Sequence, residues 1–168
     1  MNDLPVIYCD MDGVLVDFMK GINNLTGIDY SEFISDKQIV DIGHNIVRNT
    51  PQFWQNLEEM PDAQKLWHFI QKFNPSILTA KPEWDDRNVC AGKWKWTLEH
   101  TPVPKEKFHC VNRKDKMLYA INNITGKPNL LIDDFEKNIK EFTAAGGIAI
   151  HHISATVTIL KLKKMGFY

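Results

Sequence analysis

Two pairs of acids stand out for the chemistry they could do. Asp10 and Asp12 lie two residues apart in DMDGV, directly after an apolar run at residues 4–9. Asp133 and Asp134 close a second apolar run, at residues 129–132. If the two runs are neighbouring strands, four carboxylates meet at one sheet edge. Like charges that close repel, and a divalent cation relieves them. An all-oxygen ligand set suits Mg²⁺ rather than Zn²⁺. Thr79 ends a further run, residues 76–78, with a hydroxyl able to hold a phosphate oxygen. Arg113, Lys114 and Lys116 bring positive charge shortly before the second acidic pair. A solvated Asp-x-Asp-Gly turn would explain the first pair alone. The ordered series of acids, Thr, Lys and acids, tied to strand ends, points to metal-assisted chemistry on phosphate.

Such a site needs a parallel sheet, because ligands bind just beyond the carboxyl ends of parallel strands. Short apolar runs at residues 4–9, 76–78, 107–111, 129–132 and 147–151 read as five strands. In residues 63–73, Leu66, Trp67, Ile70 and Phe73 recur at helical spacing, with Asp62 as the expected N-cap. Further helices are expected at residues 84–99, following Pro82, at 136–145, before Gly146-Gly147, and at 156–164, with lysines near its end. The alternation predicts an α/β, Rossmann-like fold: a parallel five-stranded sheet flanked by helices. Residues 17–74 are far more than one crossover helix needs. The excess, about residues 21–59, reads as a small inserted helical cap. Core residues 1–20 and 60–168 complete a single domain.

The chain has 168 residues, the length of one domain. A net charge of −1 excludes a general coat for nucleic acid or anionic membrane. No run approaches the ~20 apolar residues of a membrane helix, and the first residues lack a secretory apolar segment. Cys9, Cys90 and Cys110 follow no metal-ligand spacing. They are expected to be free thiols, which favours a reducing, cytoplasmic location. His151-His152 should point to opposite faces of a strand and so not share an ion.

DMDGVLVDF, ILTAKP, the RKDK segment and LIDD together resemble the haloacid dehalogenase superfamily of phosphohydrolases. DMDGVLVDF and LIDDFEKNI look most like its 5′(3′)-deoxyribonucleotidase branch. The resemblance runs over residues 5–152 and implies an aspartyl-phosphate mechanism. Asp10 would attack phosphorus. Asp12 would protonate the leaving ester oxygen, then activate water. Mg²⁺ would be held by the Asp10 carboxylate, the Asp12 backbone carbonyl and Asp134, with Asp133 close by. Thr79 and a lysine would meet the charge on the phosphoryl oxygens. Lys116, which follows Asp115 as an Asp-Lys pair does in relatives, is favoured over Lys114. Ala80 stands where a second hydroxyl often follows the Thr, and Lys81 beside it can supply charge instead.

The resemblance implies a phosphatase of nucleoside monophosphates, with deoxyribonucleotides the first expectation. Phe18 lies where relatives set an aromatic against the nucleobase. Phe53 and Trp54, in the cap, are the next stacking candidates; core packing is the competing explanation for all three. Trp67, Trp84, Trp94 and Trp96 are expected to pack. The same chemistry on nucleic-acid 3′-phosphate ends or on a small phosphorylated metabolite is the near alternative. A phospho-receiver domain and a catalytically silent Mg²⁺/phosphate binder are the distant ones. The expected partner is a small phosphomonoester. Neither a membrane nor stable nucleic-acid binding is expected, and a homodimer is admitted.

Overall fold

The computed structural model describes residues 4–32, 37–83 and 87–168. Trp84, with the expected start of its helix, lies outside them. Five strands, β1 (Ile7–Cys9), β2 (Ser76–Lys81), β3 (Phe108–Asn112), β4 (Leu130–Asp133) and β5 (Ile148–His151), form one sheet. All pairings are parallel, in the order β3-β2-β1-β4-β5. Among the described residues, six α-helices accompany them: α1 (Phe18–Thr26), α2 (Lys37–Arg48), α3 (Ala63–Ile70), α4 (Arg87–His100), α5 (Glu136–Ala144) and α6 (Ala155–Lys164). This is the expected Rossmann-like α/β architecture.

The strand order reverses direction at β1, so a crevice opens between the ends of β1 and β4. Register then decides which residues meet there. Cys9 pairs with Ile77 on one side and Ile132 on the other. Asp10 and Asp133 are therefore the next residues on adjacent strands, and Asp10 N donates to Ile132 O at 2.9 Å.

Strand alternation divides the core in two. Ile7, Cys9, Ile77, Leu130 and Ile132 face Leu66, Trp67 and Ile70 of α3, Trp96 of α4 and Leu162 of α6. Leu78 and Leu131 face the other way, against Phe142 of α5 and Ala120. Ala120 follows a 3-10 stretch, Arg113–Tyr119, that covers this second face. Both faces of the sheet are thus buried, as the apolar strands require.

The helix expected over residues 63–73 ends at Ile70, and its last turn tightens into a 3-10 stretch, Gln71–Phe73. Asn74, with φ 55°, stops it. Asp62 does not cap its own helix; its carboxylate accepts from Ala155 N at 2.6 Å. The unpaired amides at the start of α6 claim it, because α6 packs beside α3. Between β1 and α3 the chain leaves and returns at one point. Asp17 N donates to Glu58 O and Met60 N to Leu15 O, both at 2.9 Å.

One expectation fails outright. Cys90 of α4 and Cys110 of β3 form a disulfide; Cys9 is the buried free thiol. α4 packs over β3 through Trp94 and Phe108, which brings cysteines 20 residues apart to a Cα–Cα distance of 5.8 Å. No local spacing encodes that approach. Free thiols therefore no longer support a cytoplasmic location. Among the described residues, no helix is long and apolar enough to cross a membrane.

Candidate active site

After Cys9 the chain turns tightly. The amides of Val14, Leu15 and Val16 all donate to Met11 O, at 3.1, 2.7 and 2.9 Å. Gly13, with φ 75°, makes the turn possible. A Cβ there would stand 2.1 Å from Asp134 Oδ2, so a side chain at this position would force the two acidic pairs apart.

Asp10 and Asp133 are both buried, and Lys116 lies between them. Its Nζ is 2.9 Å from Asp10 Oδ2 and 2.7 Å from Asp133 Oδ2. Asp133 is further held by Phe135 N at 2.9 Å and by Asn138 Nδ2 at 3.0 and 2.9 Å. Among the described residues, Asp10 has only Lys116 and its neighbour's amide, Met11 N at 2.8 Å. One ammonium cannot neutralise two buried carboxylates. Burial pushes the Asp10 carboxyl up to about 8, with Lys116 opposing and Asp133 and Asp12 adding to the rise. Burial works against the Lys116 ammonium, but Asp10 and Asp133 outweigh it and hold its pKa above the ordinary value. Burial and then Asp133 raise Asp134 to about 6.

Thr79, fully buried, follows Leu78 in β2. Its Oγ1 accepts from Lys93 Nζ at 2.9 Å. Lys93 Nζ also donates to Asp12 Oδ2 at 2.5 Å and to Ala80 O at 2.8 Å. Lys93 belongs to α4 and is 1% exposed, a lysine that sequence reading passed over. A signal was present: Val89, Lys93, Trp96 and Thr97 form one buried stripe at helical spacing, and a lysine on such a stripe is unusual. Asn138, which orients Asp133, was also missed.

Lys114 is exposed and does not share the contacts of Lys116. With Lys81, Glu83, Asn112 and Arg113 it lines a separate cleft of about 300 Å³. Phe18, Phe53 and Trp54 come together. Phe18 stacks on Trp54 with centroids 5.4 Å apart, and Phe53 meets both edge-on. Phe53 and Trp54 are buried and Phe18 is half-buried. Lys93 Nζ lies 4.8 Å from the centre of the Trp54 ring, so this cluster borders the acids. His151 is exposed, with Nε2 2.8 Å from Asp134 O; buried His152 faces away and meets Thr158 Oγ1 at 2.8 Å.

The acids suit a hard cation. Ligand oxygens of Asp10, Asp133 and Asp134 all lie within 4.8 Å of one another. Their excess negative charge and oxygen-only chemistry fit Mg²⁺. Because Asp133 is saturated by its own partners, Asp10 and Asp134 are the carboxylates with lone pairs to offer.

No protein-family model and no curated protein matches this chain. Solved structures do match its fold. A hydrolase from Streptococcus pneumoniae TIGR4 superposes with a TM-score of 0.58, over 95% of this chain and 98% of that one, at 14% identity. A haloacid dehalogenase-like family hydrolase from Streptococcus pneumoniae gives 0.58, over 96% and 91%, at 12% identity. L-2-haloacid dehalogenase from Xanthobacter autotrophicus gives 0.54, over 98% and 84%, at 13% identity. The fold is therefore that of the haloacid dehalogenase-like hydrolases. At such identities the likeness speaks for the fold alone.

Proposed function

We propose that this protein is a Mg²⁺-dependent phosphatase of nucleoside monophosphates, with deoxyribonucleotides its first substrates. One observation carries the reading: Asp10 is a buried, under-coordinated carboxylate beside Lys116, at the end of β1, with Asp134 within ligand distance. The motif resemblance and the hydrolase fold support the same chemistry. An Asp10 oxygen bonds to phosphorus as the ester P–O bond breaks. The leaving oxygen keeps that electron pair and takes a proton from Asp12, which has first taken it up from solvent. Asp12, now ionised, takes a proton from water as the water oxygen attacks phosphorus. The bond between Asp10 and phosphorus breaks, and inorganic phosphate leaves. Bound Mg²⁺, held by Asp10 and Asp134 with the Asp12 carbonyl, would neutralise carboxylate and phosphate charge. Lys116 keeps Asp10 in place, and Thr79 offers its hydroxyl to a phosphoryl oxygen.

Chemistry near the site favours a nucleotide. Trp54 also borders a cavity of about 260 Å³ lined by Asn49, Gln52, Gln55 and Asn88. Amide side chains hydrogen-bond base edges. Dehalogenation, the activity in one structural neighbour's name, is less well served. A departing halide needs no proton, whereas a departing alkoxide does, and in this reading Asp12 supplies it.

The test is a substrate panel with Mg²⁺ and with EDTA. It contains 5′- and 3′-deoxynucleotides, ribonucleotides, sugar phosphates, an oligonucleotide 3′-phosphate and 2-chloropropionate. The expected result is Mg²⁺-dependent phosphate release, fastest from deoxynucleotides and lost in Asp10→Asn. Halide release alone, or an Asp10→Asn enzyme as fast as wild type, refutes the reading.

A further inference from the structure

Lys93 has a place in the fold that a purely structural ion pair does not explain. Its ammonium is buried, and burying a charge is costly unless its partners repay it. Its three N–H donors go to Asp12 Oδ2, Thr79 Oγ1 and Ala80 O. Only one of these partners is charged, and that one is incompletely satisfied: among the described residues, Asp12 Oδ1 is buried without a hydrogen-bond partner. The Asp12 side chain is nonetheless 31% exposed, so the pair lies at the mouth of the site rather than in the core. A half-satisfied buried pair is poor value as structure and is more often a sign of function.

The surroundings keep Lys93 in place. Cys90, one turn earlier in α4, is disulfide-bonded to Cys110, and Cys110 pairs in register with Thr79. The cross-link therefore ties the helix bearing Lys93 to the strand beside Thr79. Gly92 lets α4 approach the cap closely, since a Cβ there would be 2.7 Å from Trp54 Cβ. The Trp54 ring closes over the ammonium. Lys116 comes from the opposite face of the sheet, so the two ammoniums flank the carboxyl ends of β1 and β2 from both sides.

We propose that Lys93 is a second phosphate-binding cation: its ammonium passes from Asp12 to the phosphoryl oxygens when the substrate binds, and leaves Asp12 to the ester oxygen. This rests on the phosphatase reading and adds a residue to it. A carboxylate and a phosphate dianion repel, so a cation already hydrogen-bonded to both Asp12 and the Thr79 hydroxyl stands where the incoming oxygens need it. Thr79 stays as the fixed neighbour. Lys93 is the movable charge.

The test separates phosphate binding from the positioning of Asp12. In Asp12→Asn the ion pair is already gone, so any further loss on changing Lys93 is due to the phosphate. Inorganic phosphate binding is measured by calorimetry for wild type, Asp12→Asn, Lys93→Met, Lys93→Arg and the Asp12→Asn/Lys93→Met double variant. Thermal unfolding confirms that each is folded. The expected result is binding about ten- to hundredfold weaker in the double variant than in Asp12→Asn, with Lys93→Arg retaining most of the affinity. The double variant leaves no unpaired charge, so it keeps the test alive if Lys93→Met alone does not fold. Equal phosphate affinity in Asp12→Asn and the double variant overturns the role of Lys93 and leaves the phosphatase reading standing. No phosphate binding by wild type or Asp12→Asn, together with no turnover on the panel, overturns both.

Discussion

At the end of β1, the buried Asp10 carboxylate has one amide and a shared ammonium. At the end of β4, the buried Asp133 carboxylate has an amide, an asparagine side chain and the same ammonium. The two acids are adjacent in the sheet and both buried, Asp133 completely. They differ in how completely their lone pairs are used. Asp133 is an anchor: it holds the start of α5 through Phe135 N and Asn138, and it holds Lys116. Asp10 is left wanting, and burial raises its pKa accordingly. A nucleophile needs free lone pairs, and the saturated neighbour provides the rigidity that lets Asp10 go without partners. The acids beyond them repeat the division. Asp12 is paired to Lys93, whereas Asp134, an exposed residue, sets its carboxylate beside Gly13.

Four experiments would sharpen or break this contrast. The largest effect belongs to Asp10→Asn. It should lower turnover by about 10³-fold or more, while the melting temperature changes little, because burial already disfavours the charge on Asp10. A clear loss of stability would show that Asp10 is also an anchor. Asp133→Ala should do the reverse in kind. It leaves Lys116 to Asp10 alone, takes the acceptor from Phe135 N and Asn138 Nδ2, and should destabilise by about 1–3 kcal/mol, read by urea unfolding. An unfolding midpoint like that of wild type would remove the distinction between the two strand ends.

Third comes the tie that serves the β1 end from outside. Cys90→Ser opens a 20-residue loop and should cost about 3 kcal/mol in chain entropy. Reductant should lower the wild-type melting temperature and leave the variant unchanged. The smallest effect is a pH dependence at the β4 end, where His152 N donates to Asp133 O at 2.9 Å. Burial holds the His152 pKa below the ordinary value. Below about pH 6.5 the unfolded chain takes up a proton that the folded chain refuses, so stability falls as the pH drops. His152→Gln should flatten that fall between pH 7 and pH 5; an unchanged slope would place the titration elsewhere.

Much of this was legible in the residues. Each apolar run became a strand within a few residues of its expected place, because a strand buried on both faces must be apolar throughout. Asp10 follows the last residue of β1 and Asp133 ends β4, as expected, whereas Thr79 lies inside β2, which runs on to Lys81; its buried hydroxyl is satisfied there by Lys93. Lys116 could be preferred over Lys114, and the structure sets it against Asp10 and Asp133 while Lys114 lines another cleft. Asp62 was harder. Its position before a helix suggested a local cap, yet a distant helix start competed for the carboxylate and won.

By itself, then, the sequence determined what is short-range: the order of strands and helices, the acids that end two strands, and the glycine that turns between them. Hydrophobic alternation and turn chemistry act over a few residues and can be read there. Tertiary structure alone decided which helix lies over which strand. Lys93 meets Asp12 and Thr79, and Cys90 meets Cys110, because α4 packs across β2 and β3. Contacts of that kind depend on the three-dimensional packing of distant segments, and no spacing along the chain records them.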